Sequence, residues 1–137
     1  MFLIIDPQQH GVRLGRLHDN TITWRITKIQ DRIFSVLKKV MDEASGHALK
    51  AIVVCGDASA EVSQKRNVSW SGLRTAVALG NSIAFAKHIP VAMVMVDGDE
   101  SDRQLIMKIH QAFRGRKLSD PITPAYNGEP HITRPKK

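Results

Sequence analysis

Phe2 to Ile5 is an unbroken apolar run, the pattern of a strand buried on both faces, and Asp6-Pro7 marks its expected end because proline cannot donate to a ladder. Val12, Leu14 and Leu17 lead into the turn-forming His18-Asp19-Asn20, after which Ile22, Trp24 and Ile26 alternate with Thr21, Thr23 and Arg25. That pattern predicts a hairpin. Thr27 is placed to cap a helix in which Ile29, Ile33, Val36, Leu37, Val40, Met41 and Ala44 recur at helical spacing, with Gly46 as its stop. Ala51 to Cys55 reads as a second buried strand, and the polar loop Gly56 to Asn67 leads to a small-residue segment, Ser69 to Lys87, that predicts a second helix. Val91 to Val96, after Pro90, is a further apolar strand, and Leu105, Ile106, Ile109 and Phe113 mark a helix ending near Gly115.

The predicted order is thus β-β-β-α-β-α-β-α, an α/β pattern in which a hairpin feeds alternating helices and parallel strands. It matches one RNase H-like (actin-like ATPase) subdomain: a mixed five-stranded sheet with an N-terminal β-hairpin and about three helices. Right-handed crossovers put the first two helices on one sheet face if the later strands add in one direction. From Lys117 the apolar period fails, and Pro121, Pro124, Pro130 and Pro135 punctuate the rest. The expected division is a subdomain over 1–116 and an extended basic tail over 117–137, with Tyr126 and Ile132 as candidate anchors.

Charge changes this picture only at the end of the chain. Of the net +7, the segment from Arg114 supplies +4, with Arg114, Arg116, Lys117, Arg134, Lys136 and Lys137 against Asp120 and Glu129. A loose basic cluster is ordinarily a solvated surface, since nucleic-acid contact needs a shaped patch. Cys55 is the single cysteine and ends an apolar run, so a disulfide framework is excluded and a reducing, cytoplasmic setting is expected. The opening Met1-Phe2-Leu3-Ile4-Ile5 is too short for a signal peptide, and no stretch has the length and apolarity of a membrane span.

Candidate chemistry is sparse. The six histidines, His10, His18, His47, His88, His110 and His131, lack zinc-ligand spacing, so neither a metal nor a cofactor is expected. Asp6 ends a strand where an actin-like ATPase begins its phosphate loop, yet Pro7, Gln8 and Gln9 stand in place of the Gly, Ser or Thr donors. Ser69 and Ser71 lie in no nucleophile elbow and are better helix caps, so no catalytic residue is assigned.

The two helices are more informative. Gly72, Ala76, Gly80 and Ala84 recur every four residues, a small-residue row that lets another helix come close, and Thr75 to Ala86 carries no charge. On the first helix Phe34, Leu37 and Met41 widen the apolar stripe beyond what one sheet covers. Phe34, Leu37, Met41, Gly72, Leu73, Ala76, Gly80 and Ala84 are therefore the expected partner interface.

The segment Asn67-Val68-Ser69-Trp70-Ser71-Gly72-Leu73-Arg74 resembles the Gly-Ser-Phe-Thr-Gly-Val-Arg segment that opens the second helix of TsaB proteins, with Ser69, Gly72 and Arg74 matching outright. Ile4-Ile5-Asp6, Ile89-Pro90-Val91, Pro124-Ala125-Tyr126 and Glu129-Pro130-His131-Ile132 are also similar to stretches of that family. Lys65-Arg66-Asn67 replaces the family's Gly-Pro-Gly, and the tail motif follows the first subdomain almost directly, as though the second were missing. The resemblance implies a non-catalytic scaffold whose first two helices pack on TsaD, the transferase that places threonylcarbamoyl on an adenosine beside the tRNA anticodon. The small-residue row and the wide apolar stripe make a homodimer the expected default when that partner is absent, and tRNA contact is expected only indirectly or through the basic tail. The alternatives are a nucleotide-binding fragment of an actin-like kinase or ATPase and a small tRNA-binding module.

Overall fold

The computed structural model describes residues 1–9, 11–26, 32–43, 46–57, 68, 70–115 and 120–123. Their elements run β1 (Phe2–Gln8), β2 (Gly11–His18), β3 (Thr21–Ile26), α1 (Ile33–Glu43), β4 (Ala51–Asp57), α2 (Trp70–Lys87), β5 (Val91–Val96) and α3 (Asp102–Ala112), the order expected from the sequence. The strands form one mixed sheet in the order β3-β2-β1-β4-β5, antiparallel through the hairpins and parallel from β1 to β4 to β5. Asp19 and Asn20 both take positive φ, 49° and 58°, and close the two-residue β2–β3 turn between His18 and Thr21. Asn and Asp tolerate that left-handed backbone better than other side-chain-bearing residues.

One strand boundary differs from expectation. Proline does not end β1: the strand continues through Asp6 and Pro7 to Gln8, with Pro7 opposite Val12 of β2. The parallel pairing to β4 stops at Ile5, so Pro7 needs to fit a ladder on one side only. Proline is tolerated at such an edge.

Alternation along the strands divides the core into two layers. Leu3, Ile5, Leu14, Ile52 and Val54 face α1 and α2, while Ile4, Leu17, Val53, Cys55 and Val94 face α3. Both layers are sealed from water, and each large aliphatic side chain so buried contributes about 1.5–3 kcal/mol. The first two helices share a sheet face, as right-handed crossovers require: α1 lies over β2, and α2 over β4, β1 and β5. On the other face α3 starts with a reciprocal cap. The Gln104 amide donates to Ser101 Oγ at 3.3 Å, and the Ser101 amide donates to Gln104 Oε1 at 2.9 Å. Among the described residues no helix is long and apolar enough to cross a membrane.

Candidate functional site

The small-residue row on α2 does not face outward. Ala76 is fully buried and Leu73 and Ala84 nearly so, and a Cβ built on Gly80 would stand 2.7 Å from Val54 Cγ2. The row is therefore the seam where α2 lies on its own sheet, and Gly80 is glycine because the backbone approaches β4 too closely for a side chain. This corrects the expectation that Leu73, Ala76, Gly80 and Ala84 meet a partner. Gly72, at the start of the helix, is half-buried, and Arg74 is exposed.

The outward face of α2 is one step round the helix. Ser71, Thr75, Ala78, Ser82 and Phe85 are all exposed there. Thr75 Oγ1 donates to the Ser71 carbonyl at 2.8 Å, and Ser82 Oγ donates to the Ala78 carbonyl at 2.7 Å. Both hydroxyls are thus turned into their own helix. What remains outward is a low strip of methyl and methylene groups ending at Phe85, which is 84% exposed. On α1, Val40 faces the sheet, Leu37 and Met41 are partly buried against the same core, and Phe34 is 71% exposed. Between the two helices runs an apolar groove of about 320 Å³, lined by Ile33, Phe34, Thr75, Ala78, Leu79 and Ser82. Of the expected interface residues on α1, then, the structure brings Phe34 to an exposed apolar surface, while Leu37 and Met41 are partly buried against the core.

Sequence reading missed this strip because both faces of α2 are built of small residues. A discriminating signal lay in the bulkier side chains, since Leu73 and Val77 flank the buried row and point it inward.

The strand ends carry the polar cluster. Asp6 is buried to 1% exposure, and Arg13, its partner across the β1–β2 ladder, donates to Asp6 Oδ2 from Nε at 3.0 Å and Nη2 at 2.8 Å. The guanidinium carbon lies 3.6 Å from the centre of the Trp24 ring, and Trp24 Nε1 donates to Asp102 Oδ1 at 3.0 Å. Gly15 opposite Trp24 leaves room for the indole, because a Cβ there would stand 2.9 Å from the ring. These contacts join β1, β2, β3 and the first turn of α3. Close by, burial pushes the Cys55 thiol up to about 12, with Arg13 pulling the other way. Burial likewise lowers the Arg13 pKa. Lys108 pairs with the buried Glu100 and donates to the Met95 carbonyl at 2.9 Å.

Ser69 and Thr27, Ile29 and Ala44 of the predicted first helix lie outside the described residues, as do His10, Arg116, Lys117, Tyr126, Ile132 and the rest of the tail from 124. Among the described residues no group of three or more His, Cys, Asp or Glu side chains is arranged to hold a metal ion.

No family model and no curated protein matches the chain. Solved structures do. YeaZ from Pseudomonas aeruginosa superposes with a TM-score of 0.54 at 22% identity, over 69% of this chain and 43% of that one. The fold is RNase H-like, as in YeaZ. An uncharacterized protein with similarity to peptidase YeaZ from Pseudomonas aeruginosa superposes with a TM-score of 0.52 at 20% identity, over 69% of this chain and 42% of that one. The chain thus matches less than half the length of either structure.

Proposed function

We propose that this chain is a non-catalytic scaffold subunit in the modification of tRNA to threonylcarbamoyladenosine, docking a TsaD-like transferase through the outward faces of α1 and α2. The single observation that carries this reading is the exposed apolar groove between the helices, bounded by Phe34 and extended along α2 to Phe85. Two large exposed aromatics beside a shallow strip suit an opposing helix, for which aromatic side chains are the usual anchors. The Ser69, Gly72 and Arg74 motif and the fold likeness to YeaZ, a TsaB protein, support the same reading. The nucleotide alternative is less well supported, because the carboxylate at the end of β1 is committed to Arg13.

Co-expression of the tagged chain with a TsaD-like transferase tests the proposal. The wild type should co-elute with the transferase, while Phe34→Asp and Ala78→Arg should weaken the complex at least about tenfold, as loss of an interface anchor does. Both variants should keep the wild-type melting temperature. Without the transferase, light scattering should show a homodimer that the same two variants dissociate. Wild-type retention by both variants would sink the assignment of this face.

A further inference from the structure

A second cavity lies at the opposite end of the sheet from Asp6. It encloses about 400 Å³ between the start of β1, the β2–β3 turn, the segment preceding β4, and α3. His18, His47, His110 and Lys50 line it, and Asp19 is the carboxylate among its lining residues. The His18 and His47 rings are in contact, their centroids 3.9 Å apart and their planes tilted by 42°. Asp19 Oδ2 stands 3.3 Å from His18 Nδ1, and His110 meets Phe2 edge-on at 6.0 Å. The sequence gives no hint of this grouping, because the three histidines come from a strand end, a loop and a helix far apart in the chain.

Charge in this cavity is unbalanced. The Met1 amine, which donates to the Ala48 carbonyl at 3.1 Å, has its pKa lowered first by burial and then by the neighbouring Lys50, with Asp19 opposing. The nearby carboxylate at the end of α1, Glu43, is engaged by Arg16 and Arg25. Among the described residues, Asp19 is the one carboxylate lining this cavity, beside Lys50, the Met1 end of the chain and three imidazoles.

We propose that this cavity binds the phosphate group of a small phosphorylated molecule. The His18 and His47 rings lie beside Lys50 with one exposed carboxylate, Asp19, among the lining residues, so the cluster has donors to spare for a further anion. A phosphate supplies that anion, accepting from both rings and from the Lys50 ammonium in charge-assisted hydrogen bonds. The volume lies within the range of small-ligand pockets, roughly 300–1,000 Å³.

The test follows the histidine ring signals of the full chain by NMR during titration with inorganic phosphate, against sodium chloride at matched ionic strength. His18, His47 and His110 should shift with phosphate while His88, at the far end of α2, does not. His18→Gln and Lys50→Gln, both at exposed positions, should each weaken binding severalfold without moving the melting temperature. Equal shifts with chloride, equal shifts at His88, or undiminished binding by both variants would overturn the site. A single-stranded oligonucleotide is the second probe, and a response to it without one to inorganic phosphate would overturn the small-molecule assignment.

Discussion

Arg13 stands directly opposite Asp6 in the β1–β2 ladder, and both its Nε and its Nη2 donate to one oxygen of the buried carboxylate. The two partners differ in solvent access, since the Arg13 side chain is 33% exposed and that of Asp6 only 1%. Removing the arginine therefore strips the cation from a carboxylate that water does not reach, whereas removing the aspartate leaves a guanidinium that water and Trp24 still solvate. Arg13→Ala should cost about 3 kcal/mol in urea denaturation, and Asp6→Ala about half as much. The reverse order would show that this account of the pair is mistaken. Because Asp6 is engaged in this way, ATP with magnesium should leave the wild-type melting temperature unchanged.

The two faces of α2 should respond oppositely to the same substitution. Gly80→Arg and Ala76→Arg place a charged chain against Val54 and the buried layer, so neither variant should fold. Even Gly80→Ala should cost about 1–3 kcal/mol, as overpacking of a close contact does. Ala78→Arg and Ser82→Arg lie on the exposed strip and should stay within about 0.5 kcal/mol of the wild type. Thermal melts of the four arginine variants settle this, and a folded Gly80→Arg protein would contradict the assignment of the faces.

The contrast between these residues shows what was legible in the sequence. Element order was, because unbroken apolar runs such as Ile52 to Cys55 and the helical spacing on α3 each specify one kind of element. The orientation of α2 was not. Small residues at 72, 76, 80 and 84 and at 71, 75, 78 and 82 give nearly equal rows, and only the packing of Leu73 and Val77 chooses between them. The Asp6–Arg13 pair was hidden for another reason. It depends on a ladder register continuing past Pro7, and a one-residue slip would send Arg13 to the opposite face. The contact of His18 with His47 depends on tertiary approach alone.

Cys55 is held as a neutral thiol. Burial raises its pKa from 9.0 to about 12, so the native state binds its proton more tightly than the unfolded state does. The associated stability is complete below about pH 9 and is lost as pH rises toward about 12. Alkaline denaturation should accordingly be shallower in Cys55→Val, which has nothing to ionise. In the wild type at neutral pH, a thiol reagent should label Cys55 only at the rate of unfolding, and rapid labelling of the native protein would refute the buried, protonated state.

After α3 the chain returns to the opposite face of the sheet, where Asn81 on α2 grips it by the backbone. Asn81 Nδ2 donates to the Ile122 carbonyl at 2.8 Å, and the Ile122 amide donates to Asn81 Oδ1 at 3.0 Å. Ile122 itself is 7% exposed and belongs to the core layer beneath α1 and α2. The side-chain amide satisfies both polar groups of a backbone unit whose own side chain is being buried, so the two contributions depend on each other. Asn81→Ala should cost about 1–3 kcal/mol through the unsatisfied backbone groups, and Ile122→Ala about 2–4 kcal/mol through the lost burial. The double variant should cost less than the sum, since releasing the segment removes both interactions at once. Hydrogen exchange gives the independent readout: the Ile122 amide should be protected in the wild type and exchange rapidly in Asn81→Ala. Strict additivity, or an Ile122 amide that exchanges at the unprotected rate in the wild type, would show that 120–123 does not strap α2.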